Sequence, residues 1–433
     1  MKAVMYGAGN IGRGFIGQVF AASGYELIFI DVDEKVVDAL NREGRYPVRI
    51  LGEDSTSDAW IQGVSAINGR NEEEAAEAIA SADIMATAVG VRVLPHIAPV
   101  IAKGLKKRFA GGEPRPGGSA AGSGGGDIKP LNIIICENLI DANRELELLI
   151  KKNLDEEGQN IFDKNIGLVE ASIGRMVPLQ TEEMRDGNPL RICVEAYSFL
   201  PVDKMAFKGE IPSLKGMCPY ENFDFYIKRK LFVHNLGHAV CAYLGMIQGD
   251  NFIFEAAGSG AILYMAQNAM LESALALSAK YNEPLSGLHF HIRDLLRRFS
   301  NKALGDTCAR VGADTKRKLG KNDRLVGALL FCAEEGINPV FISIGVAAAV
   351  YCHLNENGMP QNSESALAVL KEVSGINGET ENNETEGNES IQIETILLFH
   401  SMLASIPQNG SFDEIMGKII NAASRAGQRQ DVI

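Results

Sequence analysis

The chain has little of what would mark a secreted, metal-bound or membrane-spanning protein. Its seven cysteines are odd in number, scattered and never spaced C-x-x-C. That pattern suits reduced thiols of a cytoplasmic protein, packed as small core residues. Histidine is equally sparse, at seven. In the nearest approach to a ligand pair, His289-x-His291, the rings face opposite sides of a strand or diverge on a helix, so no bound metal is expected. No apolar run reaches the ~18–20 residues that span a bilayer, and the longest, Val340 to Cys352, reads as a buried helix. The opening Met1–Tyr6 leads directly into a Gly-rich turn, which leaves no room for a charged and then apolar leader. Positive charge is also short: 42 Lys+Arg face 55 Asp+Glu, a net −13. This argues against broad binding to nucleic acid or anionic membrane.

What is present is an ordinary globular balance, 46% hydrophobic and 22% charged over 433 residues, enough for two or three domains with cores of their own. Residues 1–31 read strand, tight turn, helix, strand: Ala3–Tyr6, a glycine turn, Phe15–Ala22, and Glu26–Ile30 ending at Asp31. That is a βαβ unit. Ile84–Val89 and Ile133–Cys136 are further strands of the same sheet, and Ile166–Ser172 and Arg191–Ala196 are expected to extend it. From about Tyr220 the apolar spacing turns helical, with candidate helices at Phe223–Tyr243, Ala261–Lys280, Leu288–Asn301, Arg324–Glu335, Val340–Asn355, Ser363–Val373, Ile391–Ala404 and Phe412–Gly427. The expected architecture is an α/β N-terminal Rossmann-type domain with an extended sheet (1–205), followed by an all-α C-terminal domain (206–433). Two stretches, Ala110–Asp127 and Gly375–Asn388, are Gly/Ser/Pro- or Asn/Glu-rich and read as solvated insertions.

The glycine turn is Gly7-Ala8-Gly9-Asn10-Ile11-Gly12, a G-x-G-x-x-G that follows a strand and opens a helix, with Asp31 nineteen residues after its last glycine. Such a turn cradles a pyrophosphate: one glycine makes the turn, one admits the phosphates and one lets helix and sheet pack closely. Asp31 would accept from a ribose 2′-hydroxyl and repel a 2′-phosphate, which favours NAD over NADP. Asp33 is the alternative ribose partner. Thr87, Val89 and Gly90, ending a later strand, are candidate contacts at the same crevice, or an ordinary strand terminus.

The second chemical signal is Lys230-Leu231-Phe232-Val233-His234-Asn235-Leu236-Gly237-His238. On an α-helix Lys230, His234 and His238 fall within about 80° of one another and Asn235 at about 140° from Lys230, opposite Phe232, Val233 and Leu236. This stripe could line a polar cleft or be a solvated helix face. A third signal is charge. Ten basic residues between Arg293 and Arg324 face four aspartates, a local +6 in an acidic chain. Beside a cleft that concentration suits an anionic sugar phosphate; otherwise it is a solvated basic face.

The K-x-x-x-x-N-x-x-H spacing, Cys136-Glu137-Asn138 after a strand, the opening GAGNIGRG, EASIGRMVP (Glu170–Pro178) and the run Arg298–Ala328 together resemble the polyol-specific long-chain dehydrogenases, the mannitol dehydrogenase family. The resemblance covers nearly the whole chain apart from the two insertions, and Arg298–Ala328 resembles the branch that handles phosphorylated substrates. It implies NAD-dependent, metal-independent hydride transfer between D-mannitol 1-phosphate and D-fructose 6-phosphate. By the resemblance Lys230 is the general base, Asn138 and Asn235 polarise the developing oxyanion, His238 holds substrate and lysine, and Arg310 and Lys318 bind substrate. The turn between the last two would let them clamp the phosphate. A lysine near its ordinary pKa is a poor base at neutral pH, so burial would have to lower it. The family also implies a monomer, while the cysteine pattern and acidic balance point to a cytoplasmic protein with no nucleic-acid or membrane partner. The readings that compete are a mannitol 2-dehydrogenase or a hexuronate (fructuronate or tagaturonate) reductase, and, from a different class, an NAD-binding sensor in which the Lys230–His238 stripe would have no task.

Overall fold

The computed structural model describes residues 1–53, 55–111, 128–376, 385–406 and 411–428. Most of the first expected insertion, 112–127, and residues 377–384 of the second lie outside these; residues 385–388 open the helix Thr385–Ala404. The chain divides into two compact units, Met1–Tyr226 and Ile227–Ile433.

The first unit is built on six parallel strands: β1 (Lys2–Tyr6), β2 (Glu26–Asp31), β5 (Val64–Asn68), β6 (Ile84–Thr87), β7 (Leu131–Ile135) and β8 (Ile166–Glu170). Their order is β5-β2-β1-β6-β7-β8, every pair parallel. This is the Rossmann arrangement, in which strand order reverses between β1 and β6. The strands read as apolar runs because both faces of such a sheet are covered. Alternate residues serve opposite cores: Ala3, Met5 and Ala86 point to one, Val4, Tyr6 and Met85 to the other, as a period of two requires. Helices Glu72–Ser81, Leu94–Ala110 and Ala142–Lys151 cover the second face with Ile79, Ile101 and Leu146.

Two expectations are corrected here. The strand expected at 191–196 exists as β9 (Ile192–Glu195), but it joins a separate three-stranded sheet, β4-β3-β9. A hairpin that the sequence reading passed over, β3 (Arg45–Leu51) and β4 (Thr56–Gln62), supplies its partners. The domain boundary expected near 205 falls inside the first unit, because β10 (Leu200–Asp203) pairs with β11 (Met217–Tyr220) and keeps the intervening residues with it.

In the second unit every described element is helical. Val340–Glu356 is largely apolar, with twelve of its seventeen residues buried and only Asn355 and Glu356 exposed, at its C-terminal end, as a central helix should be. Its N-terminus is capped from another helix: the carboxylate of Glu272, on Gly260–Tyr281, accepts from the N–H groups of Phe341 (2.8 Å) and Ile342 (2.9 Å). Burial pushes that carboxyl up to about 8.

Candidate active site

The glycine turn is held by steric necessity. Gly7 has φ +101°, and a Cβ on it would lie 2.5 Å from the Ala88 carbonyl oxygen; a Cβ on Gly12 would lie 1.9 Å from that of Gly7. Neither position admits a side chain. Gly9 differs: it is exposed and a Cβ on it would meet nothing within 4 Å, so the open side of the turn lies there, beside exposed Asn10 and half-buried Ile11. The helix that follows starts with a π-helical turn, Gly12–Ile16, before Gly17–Ala22. A glycine turn opening a helix is the kind of cradle that takes a dinucleotide's phosphates.

Asp31 ends β2 and is tied into the turn. Its Oδ2 accepts from the Ala8 N–H at 2.6 Å and its Oδ1 from the Asp33 N–H at 3.0 Å. The Ala8 amide is therefore satisfied by Asp31 in this structure. A carboxylate has about four acceptor sites, so Asp31 retains capacity for a ribose hydroxyl. Asp33 also keeps capacity: its Oδ1 caps the helix Glu34–Glu43 through the amides of Lys35 and Val36, while its Oδ2 remains open among the described residues, so it stays the alternative ribose partner.

Of the three candidates after β6, Thr87 is fully buried with its hydroxyl unpaired, so it lies beneath the crevice rather than on it. The amides of Val89 and Gly90 donate to the two oxygens of Glu137, at 3.0 and 2.8 Å. Glu137 is itself buried and pins that loop to the end of β7. Sequence reasoning quoted Glu137 only as part of a motif; nothing local signals a carboxylate that serves amides 47 and 48 residues away. Asn138, the next residue, is exposed.

Two buried arginines brace the turn. Arg13 donates to the carbonyls of Ala8 (2.6 Å) and Leu190 (2.7 Å), and Arg175 to those of Gly14 (2.8 Å) and Tyr197, with its guanidinium 4.8 Å from the Phe15 ring centre.

In the second unit the Lys230–His238 stripe is not a plain α-helix. Lys230–Asn235 is a π-helical turn between Phe223–Arg229 and Leu236–Gln248. The i→i+5 closure of such a turn brings residue i+5 round over residue i. Asn235 therefore comes to the Lys230 side, which corrects the 140° separation expected from α-helical winding. Lys230 and Asn235 are half-buried and His234 is buried. The His238 ring stacks on Phe299, with centroids 4.8 Å apart and planes 9° from parallel. Burial, with Arg310, Arg324 and Arg298 nearby, holds His238 down to about 4 against the pull of Asp306, so it is a neutral imidazole at physiological pH. Its Nε2 is buried without a hydrogen-bond partner, 3.6 Å from Asp306 Oδ2. His234, packed near it, is pushed well below its usual range by burial, with Arg298, the two neighbouring imidazoles and Lys230 adding to the effect.

The basic patch is less free than its composition suggests. Arg310 closes its fork on the buried carboxylate of Asp306 through Nε (2.6 Å) and Nη2 (2.5 Å). That pair has the i, i+4 spacing that sequence can show, and Asp306 was passed over. Arg317 bridges Asp314 and Asp323, each at 2.6 Å. The turn expected between Arg310 and Lys318 is present, with Asp314 at φ +61° between the short helices Cys308–Gly312 and Thr315–Lys318. Among the described residues no three His, Cys, Asp or Glu side chains form a set that could hold a metal ion.

Residues 1–216 match the family model described as mannitol dehydrogenase Rossmann domain, and residues 222–406 match the mannitol dehydrogenase C-terminal domain. The chain belongs to the mannitol dehydrogenase family. It is an oxidoreductase of that family. A curated relative from Brevibacillus brevis, named mannitol-1-phosphate 5-dehydrogenase, is 38% identical over 374 residues, covering 86% of this chain and 90% of its own. A relative of the same name from Shouchella clausii is 38% identical over 366 residues, covering 84% and 91%. Among solved structures, Pseudomonas fluorescens mannitol 2-dehydrogenase in ternary complex with NAD and D-mannitol superposes with a TM-score of 0.71 at 15% identity, covering 97% of this chain and 94% of that one. A D-sorbitol dehydrogenase in substrate-free form gives 0.73 at 14% identity, covering 97% and 95%. These two show the shared fold.

Proposed function

We propose that this member of the mannitol dehydrogenase family interconverts D-mannitol 1-phosphate and D-fructose 6-phosphate with NAD as cofactor. The observation that carries the substrate class is the excess of cations near His238: Arg298, Arg310 and Arg324 all act on its imidazole electrostatically, and Lys318 is buried on the same segment. An unphosphorylated polyol offers no anion to such a set. The names carried by the Brevibacillus and Shouchella relatives support the same substrate. The glycine turn and Asp31 support NAD, since a 2′-phosphate would approach a carboxylate.

NAD, when bound, supplies the nicotinamide that accepts hydride from the secondary alcohol. In this reading Lys230 takes the hydroxyl proton onto Nζ, and Asn235, brought to the lysine's side by the π-turn, donates to the alkoxide oxygen as charge develops. Asn138 carries the same oxyanion role by family resemblance. Neutral His238 can donate a hydrogen bond without adding charge beside the lysine. By family resemblance Arg310 and Lys318 lie at the substrate, Arg310 with its guanidinium fork closed on Asp306. No step calls for a metal ion. The absence of any membrane-length apolar helix among the described residues and the seven free cysteines support a cytoplasmic enzyme.

The test is NADH absorbance with mannitol 1-phosphate, mannitol, fructose 6-phosphate and fructuronate as substrates. The phosphorylated pair should dominate, and Lys230→Ala should lose about 10²–10⁴-fold in kcat with little change in NADH affinity. Faster turnover of fructuronate or mannitol would transfer the chain to one of the other activities. No turnover with any of the four would leave the sensor reading.

A further inference from the structure

Lys318 is 5% exposed, and among the described residues its ammonium has neither a hydrogen bond nor an ion pair. Its nearest charged neighbours include two more cations, Arg324 and Arg317. A buried ammonium beside like charges and without a counter-ion is costly. The nearby aspartates do not relieve it: Asp314 and Asp323 are both taken by Arg317, and Asp323 Oδ1 also holds Arg324 through its Nε at 2.8 Å and its own amide at 2.6 Å.

Arg324 is 12% exposed at the side chain. Only its Nε is used, so Nη1 and Nη2 have no protein partner among the described residues. Arg324 also acts electrostatically on both Lys318 and His238, so it lies within reach of the buried ammonium and of the imidazole. Arg310 has the opposite arrangement: the edge that could grip a phosphate bidentately is already closed on Asp306. An arginine fork binds one planar or tetrahedral anion at a time.

We propose that Lys318 and Arg324 form the clamp for a phosphomonoester dianion, the substrate's own phosphate, and that Arg310 serves instead to hold Asp306 beside His238. This rests on the proposed polyol-phosphate reading and names the residue, Arg324, that sets its specificity. The dianion would supply the counter-charge that Lys318 lacks and accept from the unused Nη edge of Arg324. Burial and the two arginines hold the Lys318 ammonium down to about 8, a condition that an arriving anion relieves.

The test compares Arg324→Gln, Lys318→Met and Arg310→Gln in the full-length enzyme. Binding of fructose 6-phosphate and of inorganic phosphate is measured by calorimetry, and kcat/KM by NADH consumption with fructose 6-phosphate and with fructose. Arg324→Gln and Lys318→Met should each weaken fructose 6-phosphate by about ten- to hundredfold, mainly in KM, with a loss on fructose at least tenfold smaller. Arg310→Gln should lose both substrates in similar proportion. Inorganic phosphate should bind the wild type and not Lys318→Met. Should Arg324→Gln unfold, Arg324→Lys, which keeps the charge and loses the fork, provides the same comparison. Equal losses on both substrates for Lys318 and Arg324 variants, or a selective loss of the phosphorylated substrate in Arg310→Gln alone, would overturn the clamp while leaving the polyol-phosphate activity in place. A wild type that binds phosphate through Lys318 and Arg324 but does not reduce fructose 6-phosphate would overturn the activity and keep the clamp.

Discussion

The two regions proposed to face phosphate in this chain are built from opposite materials. In the first unit the work falls to backbone: Gly7 and Gly12 are fixed by carbonyls 2.5 and 1.9 Å from where a Cβ would be, and the acid at the end of β2, Asp31, accepts from the Ala8 amide of the turn. In the second unit the work falls to charged side chains, most of them already paired, with Lys318 and the outer edge of Arg324 left over. A backbone site carries no net charge and must be shaped by sterics. A side-chain site can be shaped by a few substitutions, but each cation must be kept from the wrong carboxylate. The difference teaches that one site should be sensitive to volume and the other to charge.

The largest effect should come from Gly12→Val. The added atoms collide with the Gly7 carbonyl, and neither residue can yield without opening the turn, so NADH affinity by fluorescence titration should fall on the order of a hundredfold or more. Affinity within threefold of wild type would mean the turn is not the phosphate cradle. A middle-sized effect should come from Asp31→Asn. The amide oxygen can still accept from Ala8, so the turn survives, while the lost charge admits a 2′-phosphate. The NAD:NADP ratio of kcat/KM should narrow by about tenfold. Equal use of both cofactors by the wild type would remove Asp31 from the ribose. The smallest should be a pH effect confined to the side-chain site. Lys318 titrates near 8, facing Arg324, Arg317, Asp314 and Asp323. Below that pH it is charged and can pair with a phosphate, which is already a dianion above pH ~6–7. Above it the charge is lost. The preference for phosphorylated over unphosphorylated substrate should therefore hold steady up to pH 8 and fall by at most about tenfold by pH 9. Lys318→Arg should abolish the decline; a ratio flat to pH 9 in the wild type would exclude Lys318 from the clamp.

The same contrast explains how much could be read from the amino acids alone. The Gly7–Gly12 turn was legible because the constraint on a glycine is local: a turn, a helix start and an acid at the next strand end all lie within thirty-one residues. The six-stranded sheet was legible as far as its strands are unbroken apolar runs. The hairpin Arg45–Gln62 was not, because half of its residues are polar and its third partner, β9, lies some 130 residues away. The Lys230–His238 motif was visible as a spacing, but its geometry was not: an extra residue per turn leaves no mark in composition, and α-helical angles misplace Asn235. In the basic patch a count of charges revealed where cations gather. It could not reveal that Arg310 is occupied and Lys318 is not, since that depends on which carboxylate each meets after folding.

The two buried arginines that brace the glycine turn set an order of events for the growing chain. Arg13 needs the carbonyl of Leu190, and Gly14 gives its carbonyl to Arg175; the space beside Gly14 is filled by Ile192 and Val194. The first cofactor-binding segment to leave the ribosome is thus completed only when residues 175–194 arrive, a closure of more than 160 residues whose entropy must be met before those contacts repay it. A fragment ending after β8 would hold all six strands of the sheet and the whole glycine motif, yet leave two guanidinium partners missing. The bracing of the glycine turn therefore extends past the sheet that presents it.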